Sequence, residues 1–205
     1  MIDLSDIPLF LYFQFASAFL ALWFFKRNSF FGKALAVLLC ITFLVECLGT
    51  YFSVHKQYNF SLYHGYTLVE FSLILILYRG IIKEKKYLTV SYVILMFFLV
   101  FWVLTFFNKK YLFTTMVIGA FNVGILIFLY LRELLLSDKL INFKKLLPFW
   151  VSVGFIVFYL PSIPFFSFWN FMKDRSLVPI LESLIILMNI IISFGLIWSN
   201  KKAEY

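Results

Sequence analysis

Three glutamates, Glu46, Glu70 and Glu182, lie inside long apolar runs of the chain. A charged side chain at the centre of a bilayer costs at least ~2.5–3.5 kcal/mol, and such residues mark pathways, relays or ligand sites. Carboxyl groups in that position can hold a proton, a cation or a polar ligand. Their neighbours in helical spacing are polar too. Tyr63, Tyr66 and Thr67 precede Glu70 by seven, four and three residues, which puts them on its face of a helix. Asn189 and Ser193 follow Glu182 at plus seven and plus eleven, in one stripe. Thr50 stands one turn from Glu46.

Weaker polar stripes are Gln14 with Ser17, Thr115 with Asn122, and Ser152 with Tyr159 and Ser162. Pro161 and Pro164 beside the last of these are expected to kink the helix and free backbone carbonyls. The expected ligand- or proton-binding residues are Glu46, Glu70, Glu182, His64, Tyr66, Asn122, Tyr159 and Asn189. Function is preferred over packing for the glutamates. Hydrogen bonding between helices is preferred for Asn122, Asn189, Gln14 and the hydroxyl residues. His64 is expected above the glutamates, and His55 in a loop; a structural or interfacial role is preferred for both. No HExxH or close histidine pair is present, so no metal site, cofactor or catalytic residue is expected. Cys40 and Cys47, seven residues apart on one face, read as small buried hydrophobes.

These residues must be positioned by membrane helices. The chain of 205 residues is 63% hydrophobic and 14% charged, against about half and about a quarter for soluble domains. Its mean hydropathy is +0.96. An all-α integral membrane protein follows, with the whole chain, 1–205, as one polytopic domain. Seven runs approach the roughly 17–25 residues a span needs: 7–25, 33–52, 61–82, 87–107, 111–131, 146–167 and 177–198. They are too long and too evenly apolar for barrel strands. The fourth, nearly free of polar groups between Val93 and Leu104, is expected to face lipid.

Asp3 and Asp6 precede the first run, and Lys26 and Arg27 follow it. This is the reverse of a cleavable signal peptide, and an uncleaved helix with its N-terminus outside is expected. With seven spans, thirteen of the 18 basic residues then fall inside, and the five outside are Lys56, Lys109, Lys110, Lys173 and Arg175. The positive-inside rule favours that orientation, with the C-terminus cytoplasmic. It also accounts for the net charge of +8 without nucleic acid. Arg132–Glu133 reads as a solvated helix end. Phe165, Phe166, Phe168, Trp169 and Phe171 read as interfacial anchors.

Seven helices with an outside N-terminus resemble microbial rhodopsins and seven-helix receptors in topology alone. The last run holds no lysine for retinal. The expected function is a sensor or interaction module of the inner cell membrane. It would carry a polar cavity in the outer half of the bundle and signal through a separate protein partner or a second copy of itself. Proton-coupled transport, a lipid-acting membrane enzyme and a structural or pore-forming subunit are the alternatives.

Overall fold

The computed structural model describes residues 7–26, 29–137, 143–169 and 177–199, with no side-chain description for Leu88. All secondary structure in them is helical: α1 (Leu9–Trp23), α2 (Phe30–Val54), α3 (Phe60–Arg79), α4 (Lys85–Phe107), α5 (Tyr111–Leu135), α6 (Leu147–Phe168) and α7 (Val178–Trp198). Six of the seven, α2 to α7, are long and apolar enough to cross a membrane, which supports a multi-pass membrane protein. The expected first span is a helix of 15 residues. At ~1.5 Å per residue it is shorter than the hydrocarbon core is thick.

Local chemistry sets several boundaries. Ser29 accepts from the Gly32 amide at 3.4 Å and starts α2 one turn before Lys33, as an N-cap hydroxyl does. At its other end, the Gln57 amide reaches Phe52 O at 2.8 Å and the Lys56 amide reaches Ser53 O at 3.0 Å. These two bonds make a Schellman ending, with Lys56 at φ 55° where glycine is usual. α6 runs unbroken through Pro161 and Pro164 to Phe168. Having no N–H, these prolines cannot bond the carbonyls of Val157 and Leu160.

Short connections make successive helices antiparallel neighbours. Helices α1, α2, α3, α5, α6 and α7 close into a ring, in which α1 meets α7 and α3 meets α5. α4 lies outside the ring, across the seam between α3 and α5. Its buried residues Tyr87, Ser91, Phe98 and Thr105 form one heptad-spaced stripe, while Val93, Met96, Phe97 and Val100 are exposed. That matches the apolar character expected of this helix. Polar side chains fasten α4 along its length. Thr105 and Thr115 share a hydrogen bond at 3.0 Å, Asn122 Nδ2 donates to Ile94 O at 3.3 Å, and Arg132 donates to the Tyr87 hydroxyl.

Arg132–Glu133 is therefore more than a solvated helix end. Both Glu133 carboxylate oxygens accept the Lys83 amide, at 3.0 and 3.1 Å, and tie the turn between α3 and α4 to α5. Trp169 stacks on Phe113 of α5 at 5.1 Å, whereas Phe168 is exposed. Phe171 lies outside the described residues, as do the charges at 3, 6, 27, 138, 139, 173–175, 201, 202 and 204. Among the described residues, Lys26, Lys33, Arg79, Lys83, Lys85, Lys86, Arg132, Lys144 and Lys145 gather at one end of the bundle. Lys56, Lys109 and Lys110 stand at the other.

The core is densest at the basic end. Phe31, Leu35, Leu38, Leu39, Ile74, Leu77, Tyr78, Leu147, Val151, Ile192 and Leu196 are buried there. Tyr78 and Ser152 share a hydrogen bond at 2.8 Å, which crosses the ring from α3 to α6. Towards the opposite end, α2 buries only Gly49 after Leu39, and α7 buries nothing before Met188. The ring is tight at its base and looser along α2 and α7.

Candidate functional site

The loosely packed half holds the acidic groups. On α2, Thr42, Glu46 and Gly49 share one stripe. On α3, Tyr63, Tyr66, Thr67 and Glu70 share another. The two stripes meet. Tyr63 Oη donates to Glu46 Oε2 at 3.2 Å, and the Tyr66 hydroxyl bonds Thr42 Oγ1 at 2.8 Å. From α6, Tyr159 Oη donates to Glu70 Oε1 at 2.6 Å, so the site spans α2, α3 and α6. Tyr66 stands within electrostatic range of both carboxylates, and each carboxylate is within range of the other. Phe71, Phe155 and Phe158 pack around Tyr159 with ring centroids 5.0–5.9 Å away.

Two features set what this arrangement can do. Neither carboxylate is salt-bridged among the described residues; the ion pair there, Lys86–Glu84 at 3.2 Å, is exposed at the basic end. Second, both carboxyl residues are half-buried, Glu46 meeting Tyr63 through Oε2 and Glu70 meeting Tyr159 through Oε1. Tyr66 also stands within hydrogen-bonding reach of the Glu70 carboxyl. The site thus offers acceptor capacity with hydroxyl donors and aromatic walls around it. No group of three or more His, Cys, Asp or Glu that could hold a metal occurs among the described residues.

Thr42 also donates to Leu38 O at 2.9 Å. A hydroxyl has one hydrogen, so in that state Tyr66 is the donor to Thr42 and presents lone pairs to its other neighbours. If Thr42 turns its hydrogen to Tyr66, the phenol is released to donate to a carboxylate. The Thr42–Tyr66 pair therefore has two hydrogen-bond polarities.

The other expected site residues lie elsewhere. Glu182 is half-buried near the start of α7, with no hydrogen-bond partner among the described residues. Asn189 is fully enclosed between α7 and α1. Its Oδ1 accepts from Ser17 Oγ at 2.6 Å, and its Nδ2 donates to Ile185 O at 2.8 Å. Asn122 faces α4 across a small apolar crevice lined by Phe71, Leu75, Ile94, Leu95 and Phe98. His64 lies off the Glu70 stripe, on the face of α3 turned to α4, and stacks on Trp102 with centroids 4.7 Å apart.

Tyr63, Thr42 and Gly49 join the site in addition to the residues expected there. Tyr63 shares the face of Glu70 yet binds Glu46 on the facing helix. Thr42 stands one turn before Glu46, and that i, i+4 spacing is its signal. Gly49 carries no signal beyond being a glycine in an apolar helix. A Cβ built there overlaps the Tyr63 hydroxyl and comes within 2.8 Å of Cζ. The missing side chain makes room for the phenol that reaches Glu46.

The chain matches no protein-family model, no curated protein and no solved structure.

Proposed function

We propose that this chain is a multi-pass membrane sensor or interaction module. Its recognition site is the polar space between Glu46 and Glu70, in the outer half of the bundle, and it signals through a separate partner. The observation that carries this reading is the pair of half-buried carboxylates, held by tyrosine hydroxyls and, among the described residues, paired with no cation. A small ligand with a cationic or hydrogen-bond-donating group suits such a site. Aromatic rings beside the carboxylates favour a cation further. The basic end faces the cytoplasm in this reading, following the positive-inside rule, and the membrane is the inner cell membrane. The densely packed base then carries a helix displacement from the site to that side.

A thermal-shift panel of small amines and amphipathic cations tests the site. A binder stabilises wild type and Glu182→Gln, by about 2.7 kcal/mol at a hundredfold excess over Kd. The double variant Glu46→Gln/Glu70→Gln loses that stabilisation. If the double variant keeps both ligand response and partner cross-linking, the reading is abandoned. For orientation, an impermeant thiol reagent applied to cells labels Lys56→Cys and spares Lys83→Cys.

A second reading, proton-coupled transport, rests on the two polarities of the Thr42–Tyr66 hydrogen bond between the carboxylates. Flux into proteoliposomes that is independent of pH, or unchanged by Tyr66→Phe, excludes it.

A further inference from the structure

His64 is the buried polar group that the Glu46–Glu70 site does not use. It is 4% exposed, and both its Nδ1 and its Nε2 are sealed from solvent without a hydrogen-bond partner. A neutral imidazole carries one donor and one acceptor, and here both are idle. Buried unsatisfied polar groups are few in native proteins, and each one needs a reason.

The surroundings of the ring are specific. It lies flat between Trp102, at 4.7 Å and 4° between planes, and Phe60, at 5.5 Å and 6°. Phe106 meets it edge-on at 4.5 Å. The Trp102 indole N–H donates to His64 O at 3.0 Å, so the same residue joins α3 to α4 through its backbone as well. Among the described residues, the rings of the slot come from α3 and α4 alone, and none of the others titrates. The nearest charge on the stack is the Lys109 ammonium from the turn after α4, over Tyr58 at 4.7 Å and Phe60 at 5.3 Å. Among the described residues, no charged group interacts with the imidazole. Tyr58 lies exposed one ring further along the stack.

This slot fits a neutral ring. Protonation turns the idle acceptor into a second unanswered donor. It also places a full positive charge where no carboxylate or carbonyl meets it and where an ammonium already sits at the end of the stack. Cation–π attraction to Trp102 and Phe60 acts in the opposite direction, but it leaves both N–H groups unpaired. His64 is the fifth residue of α3, close enough to the helix end to reach water by rotating out.

We propose that His64 is an acid-released latch between α3 and α4: the neutral ring is stacked in its slot, and protonation expels it and loosens α4 from that end of the ring. Histidine is the side chain whose unperturbed charge change lies nearest neutrality, which makes acid the trigger of the latch. The device is independent of the Glu46–Glu70 reading and stands or falls without it.

Two measurements on the full chain in detergent micelles test it. The first follows the imidazole 15N shifts of labelled His55→Gln, in which His64 is the only histidine. The second follows Trp102 emission, taken as wild type minus Trp102→Phe. From about pH 8 to about pH 5, the 15N shifts should report one protonation. Trp102 emission should lose intensity and shift to the red over the same interval. His64→Phe, which keeps the stack but cannot take a proton, should hold Trp102 emission constant. The latch is refuted by 15N shifts that do not change down to the acid limit. A protonation that leaves Trp102 emission unchanged refutes it as well, as does an emission change that survives in His64→Phe.

Discussion

Replacing Gly49 by alanine tests whether the carboxylate site is built as described, because two physical effects of opposite sign meet there. In an ordinary helix interior, glycine to alanine stabilises by about 1 kcal/mol. At Gly49 the added methyl overlaps the Tyr63 hydroxyl and lies 2.8 Å from Cζ. The phenol must swing away and give up its 3.2 Å bond to Glu46. Losing a hydrogen bond of this kind between membrane helices costs about 0.6–1.7 kcal/mol. The crowding adds about 1–3 kcal/mol. The helix gain offsets the smaller of these, which leaves a net destabilisation of about 1–3 kcal/mol. In a Tyr63→Phe background the hydrogen bond is already gone and the overlapping oxygen is missing. Only the ring carbon remains close, so the penalty for Gly49→Ala should fall by about 1 kcal/mol. Unfolding in mixed micelles by added denaturing detergent, followed by circular dichroism, measures all four corners of the cycle. Stabilisation by Gly49→Ala in the wild-type background, or an equal effect in both backgrounds, would refute the reasoning.

Two further substitutions probe other parts of the bundle. Lys56→Gly should stabilise by about 0.5–1 kcal/mol, because glycine relieves a left-handed backbone that costs other residues about 1–2 kcal/mol; a neutral or destabilising result in the same unfolding assay contradicts the Schellman geometry. Ser17→Ala should destabilise by about 1 kcal/mol, since it leaves Asn189 Oδ1 unanswered between α1 and α7, and Asn189→Leu on top of it should recover part of the loss by removing the stranded amide.

Much of the helical layout is legible from residue types. Runs such as Tyr111–Leu135 and Val178–Trp198 are apolar over a membrane thickness, and backbone polar groups in lipid are satisfied only within helices or closed barrels. The structure lengthens α5 by a turn beyond Leu131 because Arg132 and Glu133 make tertiary bonds to Tyr87 and Lys83 that local hydropathy does not contain. The face shared by Tyr63, Tyr66 and Glu70 is also legible, since it follows from 3.6-residue periodicity alone. Which helices face each other is not. Periodicity places Glu46, Glu70 and Glu182 at comparable depths, but only the order of helices around the ring brings the first two together. That order also turns Asn122 and His64 towards α4. Gly49 illustrates the limit, because its role depends on a tyrosine from another helix occupying the space it leaves.

The contact between α1 and α7 has a consequence for biosynthesis. The first and last helices are neighbours, and the Ser17–Asn189 bond joins them inside the bundle. A chain emerging from the ribosome makes α1 well before α7. Until α7 arrives the structure is an open arc, with Gln14 and Ser17 facing the gap that the final helix fills. Closure of the ring is therefore a single event that waits for α7. A chain halted before residue 178 carries a polar seam that an insertion chaperone or a quality-control protease can read as unfinished.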